Sequence, residues 1–411
     1  MKNIIIDTDP GVDDALALLY ALSLPAELNV LLISLTFGNV SLKQCFCNAY
    51  TILETVRKLG LPGPGAVGHD MKTIPLALGQ DRPLFTDETV DAAHFHGGDG
   101  LGGLHTSHSH LTPPGWETMF NSVKDLTLTQ TDVNRPFRLL PHSAHEEILQ
   151  TLRSHEPGSV TIVAIGPLSN IAKAAISDPA TFSRVKEVVV MGGAIDTMGN
   201  ANPYAEFNTF ADPEAAAIVF ALTNPRSVAL PALPGFDPTI FGRLESSVKV
   251  TLVPLDMTRR HHICDDEWEE GCRGSKLADW VRIFCAGNFR PVLDILKVRD
   301  VPYKALVAHD ALCIWYVLSA DSGDMDHNLF KVDVVDLRVE TNGQWTRGMC
   351  CVDRRPKSSI PVGSKEVSQW VDPGSWLDES LGNRIGVLKG TPGRKEWARR
   401  FCLALFGTNI S

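Results

Sequence analysis

Lys2-Asn3-Ile4-Ile5-Ile6-Asp7-Thr8-Asp9-Pro10-Gly11-Val12-Asp13-Asp14-Ala15-Leu16 runs from an Ile triplet into four carboxylates within eight residues, then into an apolar repeat. The Ile run predicts a buried strand over Lys2–Asp7. From Asp13 to Leu24 the spacing of Leu16, Leu19 and Leu22, with Ala between, predicts a helix. Asp13 and Asp14 fall in its first turn, where the helix dipole favours negative charge. Leu28–Thr36 reads as a second buried strand ending at Phe37-Gly38-Asn39. The same phrase returns at Ser159–Ile165 before Gly166-Pro167-Leu168, and at Val185–Met191 before Gly192-Gly193. Apolar strands that end in Gly-rich turns before helices predict an α/β fold, with a mostly parallel central sheet flanked by helices and a Rossmann-like core. Right-handed crossovers then bring the strand C-termini to one edge, where such folds place their sites.

Three stretches break the rhythm, near 105–141, 225–247 and 354–383, and are rich in Pro, Ser, Thr or Gly. Strand-like segments on both sides suggest insertions in one domain spanning 1–411 rather than linkers. With 44% hydrophobic and 21% charged residues the composition is that of an ordinary globular enzyme. A formal charge of −10 argues against nucleic acid or an anionic membrane as partner, but not against a neutral small molecule. No apolar run approaches the roughly 20 residues that span a bilayer. The N-terminal apolar run stops at an acidic cluster, unlike a signal peptide. Nine cysteines, an odd number without any CxxC pair, read as reduced thiols, so the expected location is cytoplasmic.

Four carboxylates this close raise one another's pKa unless a cation neutralises them. With no Cys or His nearby, a hard divalent ion with oxygen ligands is expected rather than zinc. An EF-hand loop beginning at Asp7 fails by counting, since it needs Gly at Val12 and Glu at Leu18. The Asp-x-Asp pair of haloacid-dehalogenase phosphatases also follows a strand. That family usually has Thr or Val where Gly11 stands, and it lacks the Asp13-Asp14 pair.

Asp7-Thr8-Asp9-Pro10-Gly11-Val12-Asp13-Asp14-Ala15 resembles the opening signature of the inosine–uridine-preferring nucleoside hydrolases. Further pieces follow in the family's order. They are Gly38-Asn39, Gly79 with Arg82-Pro83-Leu84, His96-Gly97-Gly98-Asp99-Gly100-Leu101-Gly102 and Gly166-Pro167-Leu168-Ser169-Asn170. Met191-Gly192-Gly193, Asn200, Ala205-Glu206-Phe207-Asn208, Asp212-Pro213-Glu214-Ala215 and Val307-Ala308-His309-Asp310 complete the set. The resemblance implies calcium-dependent hydrolysis of the N-glycosidic bond of purine or pyrimidine ribonucleosides, a step of nucleoside catabolism and salvage, by a homodimer or homotetramer. It implies that Asp9, Asp14, Asp310 and the carbonyl of Ile165 hold Ca²⁺, and that Asp9 activates the attacking water. Asp7 would stand at the periphery of that site. Asp13, Asn39, Asn200, Glu206 and Asn208 would bind the sugar, with Met191 and Phe207 also on the substrate. His309 would protonate the leaving base, with His96 lining the base pocket and the Gly-rich segment after it forming a mobile flap.

His105-Thr106-Ser107-His108-Ser109-His110 looks like a metal site but reads better as flexible polar surface. Trp116 and Trp370 are expected to pack locally. Two departures bear on base recognition. Lys297 stands where relatives often have Tyr, with only Tyr303 nearby, and Arg259 follows Thr258 where many have His. Two other functions stay open at this point: a non-catalytic nucleoside- or calcium-binding protein, and a Mg²⁺-dependent phosphatase of the dehalogenase type.

Overall fold

The computed structural model describes residues 1–60, 74–124, 135–288, 290–291, 304–319, 329–355 and 372–410. Lys297, Tyr303 and Trp370 lie outside them.

Ile4, Ile5 and Ile6 are fully buried because the strand they form has no solvent face. Ile4 and Ile6 enter one apolar cluster and Ile5 the other, as the two-residue period of a strand requires. That strand, β1 (Lys2–Thr8), sits inside a nine-stranded sheet. On one side follow β2 (Leu28–Leu35), β3 (Ile74–Leu78) and β4 (Phe137–Leu139). On the other lie β5 (Val160–Ala164), β6 (Glu187–Met191) and β7 (Val250–Val253). Ile385–Gly390 extends the sheet in parallel beyond β7, and Lys331–Val335 closes that edge antiparallel. The sheet is thus mostly parallel, as expected. The chain winds outward one way from β1 and the other way from β5, and the two strands pair in parallel, Asp7 opposite Ala164. Such a switch point opens a crevice at the strand C-termini.

The helix after β1 spans Val12–Leu22, beginning one residue before and ending two residues before its apolar repeat suggested, and stops at Ser23. It packs on the helix Ala311–Ser319, which begins directly after His309-Asp310. Those two residues form the turn just after the strand Lys304–Val307 of a small three-stranded sheet, so a segment some 300 positions away in sequence returns to the mouth of β1.

The irregular stretches carry more structure than their composition suggested. The first holds the helix Trp116–Lys124 and ends in β4, an edge strand of the large sheet. Trp116 is half-buried against the core beneath Lys43, in keeping with local packing. The second contains a 3₁₀ segment, Pro238–Arg243, whose Phe241 is buried. Of the third, residues 354–355 and 372–383 are described, and Arg355 pairs with Asp372 at 2.9 Å. The His-rich segment is also not open polar surface throughout. His105 lies half-buried in a short helix, its ring 2.9 Å from Asn48 Oδ1 and 2.8 Å from Thr112 Oγ1.

Candidate active site

The Asp7–Asp14 turn is built so that its carboxylates cannot turn outward. Asp14 is the third residue of its helix and accepts from Thr8 Oγ1 (2.6 Å), Gly11 N (3.1 Å) and Asn39 Nδ2 (2.8 Å). Asp9 Oδ2 accepts the Asn39 N–H at 2.6 Å. Its Oδ1 is buried without any partner among the described residues. Gly38 and Gly166 close over that carboxylate from the ends of β2 and β5. A Cβ on either glycine would run into Asp9, and Gly38 has φ +156°. Asp7 turns the other way: Ser34 Oγ and Asn170 Nδ2 donate to its Oδ1.

Carboxylate oxygens of Asp13, Asp14 and Asp310 lie within 4.8 Å of one another, all buried. The group therefore includes Asp13, expected on the sugar, while Asp9 lies beside it and acts on both Asp14 and Asp310 electrostatically. Burial, followed by the neighbouring carboxylates, pushes Asp9 and Asp310 well above the usual carboxylate range and Asp13 up to about 8. Burial raises Asp14 as well, against its many hydrogen-bond donors. No Lys or Arg approaches this group closely among the described residues. An all-oxygen, cation-poor cluster with an orphaned buried oxygen fits a hard divalent ion.

Above the cluster opens a cavity of about 200 Å³. Every residue expected at the site except Asp9 and Asp14, which lie beneath, lines it: Asp13, Asn39, His96, Ile165, Met191, Asn200, Glu206, Phe207, Asn208, His309 and Asp310. Much of their polar capacity is already committed to shape. Glu206 caps the helix Phe207–Ala211, accepting from Asn208 N (2.8 Å), Thr209 N (3.0 Å) and Gly193 N (3.0 Å). Asn208 Nδ2 donates to Ile165 O at 3.0 Å and Met191 O at 3.2 Å, tying the ends of β5 and β6 together. Asn200 Oδ1 accepts the Phe207 N–H at 2.8 Å.

The two histidines are held differently. His96 Nδ1 accepts the Val12 N–H at 3.0 Å, so a neutral ring carries its proton on Nε2. His309 Nδ1 lies 2.7 Å from Thr258 Oγ1. Burial, and then Arg259, push His309 down to about 3, so the ring is neutral rather than the imidazolium a proton donor would start from. The Gly-rich segment after His96, expected as a flap, is wound tightly around Asp99. That carboxylate accepts from Leu101 N, Gly103 N and His105 N, and Leu101 is buried.

Sequence reasoning missed Phe95 and Asn288, both on the cavity wall, where Asn288 Nδ2 donates to Phe95 O at 3.1 Å. Nearly two hundred positions separate them, and no local pattern links them. Thr258 was noticed only as a neighbour of Arg259, and its hold on His309 had no signal in the sequence.

A family model described as inosine-uridine preferring nucleoside hydrolase matches residues 4–372. The chain is 31% identical over 362 residues to the inosine-uridine preferring nucleoside hydrolase of Leishmania major, covering 86% of this chain and 88% of that protein. It is 29% identical over 340 residues to the pyrimidine-specific ribonucleoside hydrolase RihB of Escherichia coli O1:K1 / APEC, covering 81% and 83%. Among solved structures, the purine-preferring ribonucleoside hydrolase from Gardnerella vaginalis superposes with a TM-score of 0.65 at 22% identity, covering 99% of this chain and 98% of that one. At that identity the likeness speaks for the fold.

Proposed function

We infer, from a chain that belongs to the inosine-uridine preferring nucleoside hydrolase family, a single catalytic domain that hydrolyses the N-glycosidic bond of ribonucleosides with calcium as its metal. One observation carries this reading: three buried carboxylates converge within 4.8 Å on the floor of a cavity walled by amide side chains. A phosphatase would need a site for a phosphate dianion, and Asp13, Glu206 and Asp310 make this cavity acidic.

Asp9, Asp14, Asp310 and the Ile165 carbonyl would hold the ion. When bound, a divalent cation supplies coordination for ribose hydroxyls and a water and lowers that water's pKa. Asp9 takes the proton from the attacking water through its unpartnered Oδ1. Asp13, Asn39, Asn200, Glu206 and Asn208 surround the ribose, and acceptors there favour the positive charge that develops on it. Thr258 fixes the ring of His309. With the Thr258 hydroxyl donating to Nδ1, the neutral ring offers Nε2–H to the departing base. All nine cysteines are free thiols, which supports a reducing, cytoplasmic setting. No helix among the described residues is long and apolar enough to cross a membrane.

The test is a product analysis. Incubated with calcium, and in parallel with magnesium, on uridine, inosine or a phosphate ester, the enzyme is expected to release ribose and free base from one or both nucleosides and no phosphate. Phosphate without free base would favour the phosphatase, and binding without products the non-catalytic reading.

A further inference from the structure

Arg259 is the one Lys or Arg on the cavity wall among the described residues, and nothing above gives it work there. It follows Thr258 in sequence and lies close enough to His309 and Glu206 for its charge to act on both. No carboxylate among the described residues forms an ion pair with it. Its Nη1 donates to Met198 O at 2.7 Å and Thr197 Oγ1 at 3.1 Å, and its Nη2 to Gly199 O at 3.2 Å. A guanidinium has five N–H donors. Three are committed to neutral acceptors, so Nε–H and one Nη2–H take no protein partner among the described residues. The side chain is half-buried, and the carboxylates of Asp256 and Glu206 act on its charge without forming an ion pair.

Two uncommitted donors on a permanent cation that lines an otherwise acidic cavity suit an acceptor that arrives with the substrate. A 5′-phosphate is disfavoured by Asp13, Glu206 and Asp310 on the same walls. A neutral nucleoside meets no such repulsion, and during cleavage it places negative charge on one part only, the base. We propose that Arg259 is a catalytic residue that holds the departing base, its free donors meeting a ring-nitrogen or carbonyl acceptor while its charge offsets the charge the base gains. This rests on the hydrolase reading. As the oxygen of water bonds to C1′, the C1′–N bond breaks and its electron pair passes into the base ring. Water's proton goes to the Asp9 carboxylate, and the base anion, stabilised against the guanidinium, takes up a proton from solvent as Asp9 returns its own, so that the base leaves neutral.

Arg259 also braces residues 197–199, so loss of activity alone would not separate the two roles. Dependence on the leaving group does. The full-length calcium-loaded enzyme and its Arg259→Gln and Arg259→Lys variants are assayed on 4-nitrophenyl riboside, uridine and inosine. Arg259→Gln is expected to lose about 10²-fold or more in kcat/KM on both nucleosides and under about tenfold on the nitrophenyl riboside, whose leaving anion needs little help. Arg259→Lys keeps the charge without the planar fork and should fall between the two. If Arg259→Gln does not fold, Arg259→Lys carries the test through the same comparison, with a larger loss on the more basic leaving groups. Equal losses on all three substrates overturn the proposal and leave Arg259 a brace. Nucleoside hydrolysis indifferent to Arg259, with 5′-mononucleotide hydrolysis dependent on it, also overturns it. No ribose from any riboside with the unaltered enzyme refutes the hydrolase reading itself, and this proposal with it.

Discussion

Asp9 has one oxygen fixed by the Asn39 N–H and the other buried and unpartnered, the arrangement of a base aimed at something the protein does not supply. Asp9→Asn is therefore predicted to lower kcat on uridine and inosine by roughly 10²- to 10⁴-fold. Loss of under tenfold, with metal content unchanged, would remove Asp9 from the chemistry. Asp13 lines the cavity with its carboxylate in the group with Asp14 and Asp310, where a ribose hydroxyl would be its partner. A 2′-deoxynucleoside leaves buried polar groups without that partner, and discrimination of the order of 10⁴ in kcat/KM is predicted for uridine over deoxyuridine. Similar values for both would mean that the sugar contacts lie elsewhere. These residues were legible because a strand, a turn and a helix put all four aspartates into one short stretch. Arg259 was visible only as a departure from a motif. What it does depends on Thr197, Met198 and Gly199, some sixty positions earlier.

At the scale of elements, polar side chains that sew strand ends together keep the cavity open. Asp212 is one that takes no part in the chemistry. It caps the helix Pro213–Ala221 through Ala215 N at 3.0 Å and accepts from Leu84 N at 3.0 Å and Ser169 Oγ at 2.5 Å. Asp212→Ala removes a cap and leaves one buried donor, Ser169 Oγ, and one part-buried donor, Leu84 N, unmet, at a cost of about 2–4 kcal/mol. Urea unfolding should show that loss, while kcat/KM on uridine at low temperature stays within a few-fold of the unaltered enzyme. A stability change under about 0.5 kcal/mol would mean that water satisfies those groups. The strands themselves were readable wherever an Ile, Val or Leu run ended in Gly. β4 was not, because Phe137–Leu139 is three residues long and lies at an edge, where pairing with β3 matters more than composition. Glycine content alone did not show how the Gly-rich segment winds around Asp99, which the burial of Leu101 and the Asp99 carboxylate's contacts define.

For the whole molecule, the acidic cluster couples folding to pH and to metal. Burial raises Asp7 to about 7, and burial with Asp14 raises Asp13 to about 8, from an ordinary 3.8. Groups raised in this way hold protons in the folded state that the unfolded chain has already lost. Their contribution to stability is therefore complete below about pH 4 and is lost as pH rises through about 7–8. Metal-free enzyme should show a falling Tm between about pH 5 and pH 8.5. Calcium should raise Tm more at the upper end, because it needs the ionised carboxylates. A Tm gain independent of pH would place the ion elsewhere. That Asp310 would return to β1 from the far end of the chain was legible only through resemblance. No periodicity connects the strand Lys304–Val307 with the first β-strand, and the helix packing that joins them is a tertiary fact. Dependence of ribonucleoside cleavage on a metal at these carboxylates is measured by stripping the enzyme, verifying its metal content, and following ribose release from uridine and inosine before and after reloading. Release is expected to be negligible from stripped enzyme and to recover with calcium, better than with zinc. Full release from protein verified free of metal would contradict that dependence.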